Sequence, residues 1–383
     1  MRILLLAEGD AERYDAWSGS AKSLVDHLRA AEHDVITADV DLYGRDRWAA
    51  AARTFSPTRT RWAVKFHLAD AGYRARSRKA AQAVARHRDV DCIIQIGARF
   101  EPAGCSPLPY AVFCDSNIQM SREGSKYGVS DAVWLRSDEF EAVRRREAEM
   151  YRQSCVVLTI SEYLRRSFVR DFGVDPRRVC NVGAGPNLDV SRIPPPDAAP
   201  RNGDPTVLFV GKEFQRKGGS HLLEAFRTIR ARLPNARLVI VGPTSPPASD
   251  PGITWHGNLD KNQPDGWARL VAAYGDADVL CLPSLFEPFG ISILEAMLFG
   301  VPCVGTAEWA IPEMIVDGTT GFTVPRGDTA ALTDRLLRLL TDPALARRMG
   351  VAGRRRAEEH FSWAVVATRI VDRLQQCRDA SKR

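Results

Sequence analysis

The chain has 383 residues, of which 45% are hydrophobic and 26% are charged. This length and composition suit two globular domains, each with its own core, and they argue against long disordered stretches. No apolar run approaches the roughly 18 residues that a membrane-spanning helix needs. The eight cysteines show no CxxC spacing, so we expect reduced core thiols in a cytoplasmic protein rather than a zinc site or a disulfide framework.

The net charge of +6 is concentrated between Leu42 and Arg88, where twelve Lys and Arg face two Asp. Aromatic residues are interleaved with these cations: Trp48, Phe55, Trp62, Phe66 and Tyr73. One interpretation is a solvated basic helical surface whose aromatic side chains pack into the core. The other is that region 42–88 attracts an anionic membrane surface or a phosphate-bearing acceptor, which would make the protein peripheral at the inner face of the membrane. Nucleic-acid binding is disfavoured because no recognition motif accompanies the charge.

Short apolar runs alternate with helical patterns along the chain, which predicts buried parallel strands joined by helices. The start, Met1–Glu8, predicts a first strand rather than a secretory signal. The predicted strands of the N-terminal half are Ile3–Ala7, Asp34–Ala38, Cys92–Ile96, Tyr110–Phe113 and Val156–Ile160. Those of the C-terminal half are Val207–Val210, Arg237–Val241, Ile253–His256, Asp278–Leu282 and Pro302–Gly305. After Gly321-Phe322 the chain is expected to be helical, with helices at Ala330–Leu340, Ala344–His360 and Ser362–Gln376.

Two successive α/β sets predict two doubly wound domains, whose ligands bind beyond the carboxyl ends of the strands. A Pro-rich polar stretch between the two sets is the predicted linker. We therefore expect an N-terminal domain over 1–192, a linker over 193–205, a C-terminal domain over 206–360, and a final helix in 361–383 that packs back on the N-terminal domain. The cleft between the domains is the expected binding site.

A loop rich in glycine and cations follows the predicted strand Val207–Val210. Gly211 permits a sharp exit from the strand, Lys212 and Lys217 bracket the loop, and Gly218 opens a helix. Two ammonium groups and a helix N-terminus can neutralise a departing nucleotide diphosphate without a metal ion. Solvated surface lysines are the alternative interpretation.

Two carboxylates eight residues apart, Glu287 and Glu295, lie on either side of a Phe-Gly bend. The proline after Glu287 places that residue in a loop, and the amides of Phe289, Gly290 and Ile291 would lie at a helix start that favours an anion. Glu295 lies inside an apolar helix. Because a buried carboxylate is costly without a polar partner, we expect its partner in the upstream cation cluster.

Glu295 suits ribose hydroxyls, and Glu287 suits the hydroxyls of a transferred sugar. The carboxylates and the cation loop together therefore predict a nucleotide-sugar site. A structural ion pair with a neighbouring lysine is the alternative.

The segment from Pro283 through Glu295 to Val304, with its continuation to Gly327-Asp328, resembles the retaining nucleotide-sugar glycosyltransferases of family 4. The resemblance implies the GT-B fold, in which two Rossmann-like doubly wound domains face each other across a cleft. It also implies that Glu287 and Glu295 are the two glutamates of the family's E-x7-E motif and that Lys217 is its phosphate-binding lysine. Lys212 stands where the family usually has arginine, so the charge is kept and bidentate geometry is lost; Arg216 is a candidate to compensate.

The N-terminal half carries two further candidates by the same resemblance. Trp17–Ala21 is similar to the family's glycine loop, whose backbone faces the donor phosphate and the acceptor, although only Gly19 remains of the usual double glycine. Helix capping by Ser18 or Ser20 is the alternative. Asp115 occupies a region where related enzymes carry a His or Asp close to the transferred sugar, with loop capping as its alternative.

The resemblance implies a retaining, metal-independent hexosyltransferase that acts in glycan, glycolipid or glycoconjugate biosynthesis. It would move a sugar from a nucleotide-diphosphate donor to a hydroxyl of a carbohydrate, lipid-linked or small-molecule acceptor. Lys217, Glu287 and Asp115 are the predicted catalytic residues, and the implied chemistry is front-face substitution assisted by the leaving phosphate. No organic cofactor and no metal site are expected. The alternatives are a nucleotide-sugar epimerase or a phosphorylase of the same fold, and a catalytically silent sugar-nucleotide binding protein.

Overall fold

The computed structural model describes residues 1–102, 108–126, 130–193, 203–245 and 250–381. Within these ranges the strands form two six-stranded sheets in which neighbouring strands pair in parallel. The strands of the first sheet are β1 (Arg2–Ala7), β2 (Asp34–Asp39), β3 (Cys92–Ile96), β4 (Tyr110–Cys114), β5 (Val156–Thr159) and β6 (Val179–Asn181). Those of the second are β7 (Thr206–Val210), β8 (Arg237–Val241), β9 (Ile253–Gly257), β10 (Val279–Leu282), β11 (Cys303–Thr306) and β12 (Gly321–Val324).

Helices connect the strands and cover the sheets. The helices of the first half are α1 (Ser20–Ala30), α2 (Gly44–Arg53), α3 (Arg59–Leu68), α4 (Asp70–Arg86), α5 (Ile118–Ser125), α6 (Ser137–Gln153) and α7 (Glu162–Phe172). Those of the second half are α8 (Gly219–Arg232), α9 (Pro264–Gly275), α10 (Ile291–Leu298), α11 (Ile311–Met314), α12 (Thr329–Thr341), α13 (Pro343–His360) and α14 (Trp363–Ser381).

The first compact unit comprises residues 1–184 and 363–383. Its strand order is β2-β1-β3-β4-β5-β6, so the order reverses beside β1. The central strands β3, β4 and β5 are buried along their whole length, as expected for a parallel sheet covered on both faces. The final helix α14 packs against α1 and β5 of this unit.

The second unit comprises residues 185–362 and has the strand order β12-β11-β10-β7-β8-β9. Counted within the unit, this is the 3-2-1-4-5-6 order of a dinucleotide-binding sheet, with β7 as its first strand. The order reverses between β7 and β10. A ligand of such a sheet binds beyond the carboxyl ends of these two strands, and the loops that leave them are Gly211–Gly218 and Pro283–Gly290.

The predicted α/β class with two doubly wound parallel sheets is confirmed, and all ten predicted strands are present. Two strands were not predicted. β6 has only three residues, and β12 lies where the chain was expected to be helical. The boundary between the units, after Ala184, precedes the predicted linker at 193–205, of which residues 194–202 lie outside the described part of the chain.

The basic region 42–88 forms α2, α3 and α4, and its aromatic residues divide into two groups. Phe66 and Tyr73 are buried, and Trp62 is half-buried and donates its indole N–H to the Ala51 carbonyl. Trp48 is 75% exposed and Phe55 is 63% exposed. Core packing therefore explains part of the aromatic content of this region and leaves two large apolar side chains in solvent.

Two further findings concern composition. The seven cysteines in the described ranges form no disulfide with one another, and Cys105 lies outside those ranges. Within the same ranges, none of the helices combines the length and the apolar character needed to cross a membrane.

Candidate functional site

The loops after β7 and β10 meet at the point where the second sheet reverses its strand order. A Cβ atom on Gly211 would lie 2.2 Å from Lys217 Cδ, so the lysine stem crosses directly over this glycine. Gly218 has a φ of +75°, and a Cβ atom there would lie 1.9 Å from the Pro283 carbonyl oxygen. Both glycines are therefore required by close approach: the first makes room for Lys217, and the second lets the β7 loop contact the β10 loop.

Glu287 is almost fully buried and is paired with two cations of the neighbouring loop. Lys217 Nζ lies 2.7 Å from Glu287 Oε2, and Arg216 Nη1 lies 3.5 Å from Glu287 Oε1. Burial raises the pKa of the Glu287 carboxyl, but Lys217 and Arg216 together outweigh it and hold that pKa below its usual range. The carboxylate is therefore ionised at neutral pH, and it holds the ammonium group of Lys217 at the carboxyl edge of the sheet.

Arg216 and Lys212 differ in how they are held. Arg216 Nη1 also donates to the Phe286 carbonyl at 2.8 Å, so its guanidinium group joins the two loops. Lys212 is exposed, and none of the described residues forms a hydrogen bond or an ion pair with its ammonium group that would hold it in place. Lys212 is thus available to an anionic ligand.

The bend after Glu287 leads directly into α10. Gly290 is the residue before the helix, and Ile291 is its first residue, so the predicted amides do lie at a helix N-terminus. Phe289 is buried. A Cβ atom on Gly290 would lie 2.8 Å from Ile293 Cδ1. The same Cβ atom would lie 3.3 Å from Leu282 Cδ2 of β10, so Gly290 allows α10 to begin close to that strand.

Glu295 does not pair with the Gly211–Gly218 loop, which corrects the sequence-based expectation. Lys261 Nζ donates to Glu295 Oε1 at 3.0 Å, and the Tyr274 hydroxyl donates to Glu295 Oε2 at 2.6 Å. Lys261 also donates to the Asn187 carbonyl at 3.0 Å. Burial, followed by the neighbouring Glu295 carboxylate, raises the pKa of Tyr274, so its hydroxyl remains a donor. The cost of burying Glu295 is offset by these two partners.

The sequence held little signal for either partner of Glu295. Tyr274 falls on the apolar face of α9, where an aromatic residue is usually part of the core. Lys261 lies in the polar loop between β9 and α9, where lysines are usually solvated. The observation that could have suggested Tyr274 is a hydroxyl-bearing aromatic on a buried helix face, because a buried Tyr hydroxyl usually has a partner.

In the first unit, Gly19 lies in an unusual turn. Trp17, Ser18 and Gly19 have successive left-handed φ values of 53°, 56° and 99°. Gly19 is the residue before α1 and, as a glycine, offers no side chain to cap that helix. The Trp17 indole packs against Gly97 at the end of β3, where a Cβ atom would lie 2.5 Å from Trp17 Cζ2. The turn therefore lies at the strand reversal of the first sheet.

Asp115 is exposed at the carboxyl end of β4. Asn117 caps the helix that follows, because its side chain accepts a hydrogen bond from the Met120 N–H. The Ile118 N–H donates to buried Glu147 at 3.0 Å. Asp115 is thus presented by a backbone that is fixed on its C-terminal side by two side-chain contacts.

The structure brings Gly211, Lys212, Lys217, Glu287 and the N-terminus of α10 to one edge of the second sheet. Gly19 and Asp115 lie at the carboxyl ends of strands in the first unit. Among the described residues, no group of three or more His, Cys, Asp or Glu side chains is placed to hold a metal ion.

Two doubly wound units with a cation–carboxylate site at the strand reversal of the second define a GT-B protein. Sucrose-phosphate synthase from Thermosynechococcus elongatus shares the fold with a TM-score of 0.71 at 21% identity, covering 99% of this chain and 100% of that chain. Residues 195–356 match the family model described as glycosyl transferases group 1. This match lies in the C-terminal region of the chain and agrees with the resemblance in its motifs.

Two curated proteins are similar in sequence to more than half of this chain. An MMP alpha-(1->4)-mannosyltransferase of Mycolicibacterium hassiacum is 34% identical over 227 residues, which are 57% of this chain and 54% of that protein. A GDP-mannose-dependent alpha-(1-6)-phosphatidylinositol monomannoside mannosyltransferase of Mycolicibacterium smegmatis is 33% identical over 246 residues, which are 59% of this chain and 63% of that protein. The chain thus matches little more than half the length of these curated relatives.

Proposed function

We propose that the protein is a glycosyltransferase that moves a sugar from a nucleotide-diphosphate donor to an acceptor hydroxyl. The observation that carries this proposal is the Lys217–Glu287 pair beside the N-terminus of α10, at the strand reversal of a group 1 glycosyltransferase domain. A cation that is held in place at this edge, rather than solvated, is suited to a diphosphate.

Each part of the donor has a proposed binding site in the second unit. Lys217, Lys212 and the first amides of α10 would bind the diphosphate, because all three present positive charge or N–H donors. Glu295 would bind the ribose hydroxyls, and Glu287 would bind hydroxyls of the transferred sugar. When an anion binds, Lys217 would share its ammonium hydrogens between the phosphate and Glu287. The carboxylate would therefore orient the lysine, and before an anion binds it would neutralise the charge of the ammonium group.

We propose a retaining, metal-independent reaction by front-face substitution. The bond between the sugar's anomeric carbon and the β-phosphate oxygen breaks, and its electron pair stays on the phosphate. The acceptor oxygen bonds to the anomeric carbon on the same face, and the acceptor's proton passes to the leaving phosphate. Lys217 and Lys212 would stabilise the charge that develops on the leaving group. Asp115 is the third proposed catalytic residue.

The first unit would bind the acceptor, which we propose to be a carbohydrate, a lipid-linked molecule or a small molecule. The names of the two similar curated mannosyltransferases support a sugar or lipid-linked acceptor. Trp48 is exposed on α2 and Phe55 is exposed in the connection between α2 and α3, beside the cations of this basic region, a combination that suits an anionic membrane surface. We propose that this face docks peripherally on such a surface.

The function is tested by incubating the protein with a panel of nucleotide sugars, with and without pooled acceptors, in the presence and absence of EDTA. We expect nucleotide-diphosphate release that requires an acceptor, survives EDTA, and yields a product whose anomeric configuration by NMR matches that of the donor. Conversion of the nucleotide sugar without an acceptor would support an epimerase instead. Binding without any turnover would support a silent binding protein.

Membrane docking is tested by sedimentation with vesicles that contain or lack anionic lipid. We expect the protein to sediment only with anionic vesicles and the Trp48→Ala, Phe55→Ala double variant to remain in solution. Equal sedimentation of the double variant and the unaltered protein would contradict docking through this face.

A further inference from the structure

Trp309 lies in the short segment between β11 and α11, at the carboxyl end of β11. Because β11 pairs in parallel with β10, this segment leaves the sheet at the same edge as the loop that carries Glu287. The ring centroid of Trp309 lies 5.8 Å from that of Phe286, edge to face at 80°. Phe286 is the residue directly before Glu287, so the indole contacts the loop that carries the proposed sugar-binding carboxylate.

The backbone of Trp309 is in a conformation that bulky residues rarely adopt. Its φ is +58°, in the left-handed region where a glycine would sit without steric cost. Backbone strain of this kind persists only where surrounding contacts hold it, and it is concentrated at binding sites. The unfavourable backbone conformation at Trp309 places a large aromatic side chain at this edge of the sheet.

Contacts on the indole fix its orientation. Arg326 Cζ lies 5.8 Å from the Trp309 ring centroid and over the ring, and Arg326 is itself paired with Glu308 at 2.9 Å. Phe286, which is buried, covers part of the ring edge. The Trp309 residue is nevertheless only half-buried. An aromatic surface that is fixed by its neighbours and partly open suits a ligand with an apolar face.

We infer that Trp309 is a specificity-determining residue that lines the transferred-sugar subsite. Its indole contacts the C–H face of the donor sugar, while Glu287 binds the sugar's hydroxyls. This inference rests on the proposed function, because it assigns one more contact to the same donor. It predicts that Trp309 contributes to the binding of the nucleotide sugar and contributes little to the binding of the nucleotide diphosphate alone.

The test compares two affinities by calorimetry: that of the nucleotide sugar identified in the donor panel and that of the matching nucleotide diphosphate. In Trp309→Gly, which suits the left-handed backbone and removes the ring, we expect the nucleotide sugar to bind at least about tenfold more weakly. The diphosphate should bind as it does to the unaltered protein. Trp309→Phe, which keeps an aromatic ring, should retain most of the preference for the nucleotide sugar.

Glu32→Gly is the matched control, because Glu32 is exposed, belongs to the first unit and also has a left-handed φ of 62°. It should relieve strain without changing either affinity. An unchanged ratio of the two affinities in Trp309→Gly would overturn the inference, and if that variant does not fold, Trp309→Leu is judged by the same ratio. Absence of diphosphate binding to the unaltered protein would instead refute the proposed function.

Discussion

Lys217 Nζ and Glu287 Oε2 are 2.7 Å apart, although seventy residues separate them in the chain. The contact joins the loops after β7 and β10, which are neighbouring strands in space. The ion pair offsets the cost of burying both the carboxylate and the nearly buried ammonium group. Several consequences of this pair and of its surroundings can be measured.

Replacing Glu287 with Gln should destabilise the second unit and change its response to ligand. Lys217 and Arg216 would lose the charge that neutralises them, and breaking one side of such a pair costs about 2 kcal/mol when the partners keep some contact with water. A nucleotide diphosphate should restore part of the lost stability, because its charge replaces that of the carboxylate.

The measurement is the thermal midpoint of Glu287→Gln with and without a nucleotide diphosphate. We expect a lower midpoint and a larger ligand-induced shift than in the unaltered protein, together with loss of sugar transfer. An unchanged midpoint and an equal shift would show that the Lys217–Glu287 pair is not electrostatically coupled to the ligand.

Replacing Gly211 with Ala should act on Lys217 without touching its charge. The added Cβ atom would lie 2.2 Å from Lys217 Cδ, so the lysine stem must move. We expect nucleotide-diphosphate affinity to fall about tenfold or more. Gly275→Ala is the matched control, since nothing lies within 4 Å of its added Cβ atom. Equal affinities of the two variants, measured by calorimetry, would contradict the path assigned to Lys217.

The ribose role of Glu295 predicts a dependence on the nucleotide's hydroxyl groups. The unaltered protein should bind a ribonucleoside diphosphate at least about tenfold more tightly than its 2′,3′-dideoxy analogue, because an unpaired buried carboxylate is costly. Glu295→Gln should lose much of this preference, whereas Asp265→Asn on the exposed surface of α9 should keep it. The check is a competition assay with both nucleotides. A preference that survives in Glu295→Gln would remove Glu295 from the ribose site.

Glu147 predicts a pH-dependent stability of the first unit. Burial raises the pKa of Glu147 to about 7 despite hydrogen bonds from the Ile118 N–H and the Tyr151 hydroxyl and the nearby charges of Arg146 and Arg99. A carboxyl whose native pKa exceeds its unfolded value keeps its proton longer in the native state. Stability therefore falls as pH rises from about 4.5 to 7, by roughly 3 kcal/mol for this group.

Glu147→Gln should flatten this decline, because the amide has no proton to lose in that range. The readout is the thermal midpoint between pH 4.5 and 8, with Glu149→Gln, at a half-buried residue of the same helix, as the control. If the slopes of Glu147→Gln and the unaltered protein coincide, Glu147 does not titrate in this window.

The individual residues of the proposed donor site were more predictable than their pairing. Lys217 and Glu287 could be found because glycine and proline mark the loops in which they lie, and because each loop follows a clear strand. Their contact with each other depends on β7 lying beside β10, and a short-range pattern does not encode strand order. Glu295 was correctly expected to need a polar partner. The partner was misassigned because Lys261 and Tyr274 become its neighbours only through tertiary packing.

The two strands that were not predicted are both short. β12 contains Gly321 and Thr323, has only four residues, and pairs with the outer side of β11, so tertiary pairing decides its conformation. The positive φ of Trp309 carried no sequence signal at all, since a tryptophan normally argues for ordinary backbone.

The most decisive measurement is calorimetric titration of UDP, GDP and ADP into the unaltered protein, Lys217→Ala and Arg227→Ala. Arg227 is the control because it is an exposed cation on α8 that pairs with Asp250. At least one nucleotide diphosphate should bind to the unaltered protein and to Arg227→Ala with equal affinity, and at least about tenfold more weakly to Lys217→Ala. Equal affinity for Lys217→Ala, or no binding of any nucleotide diphosphate to the unaltered protein, would contradict the assignment of the donor site.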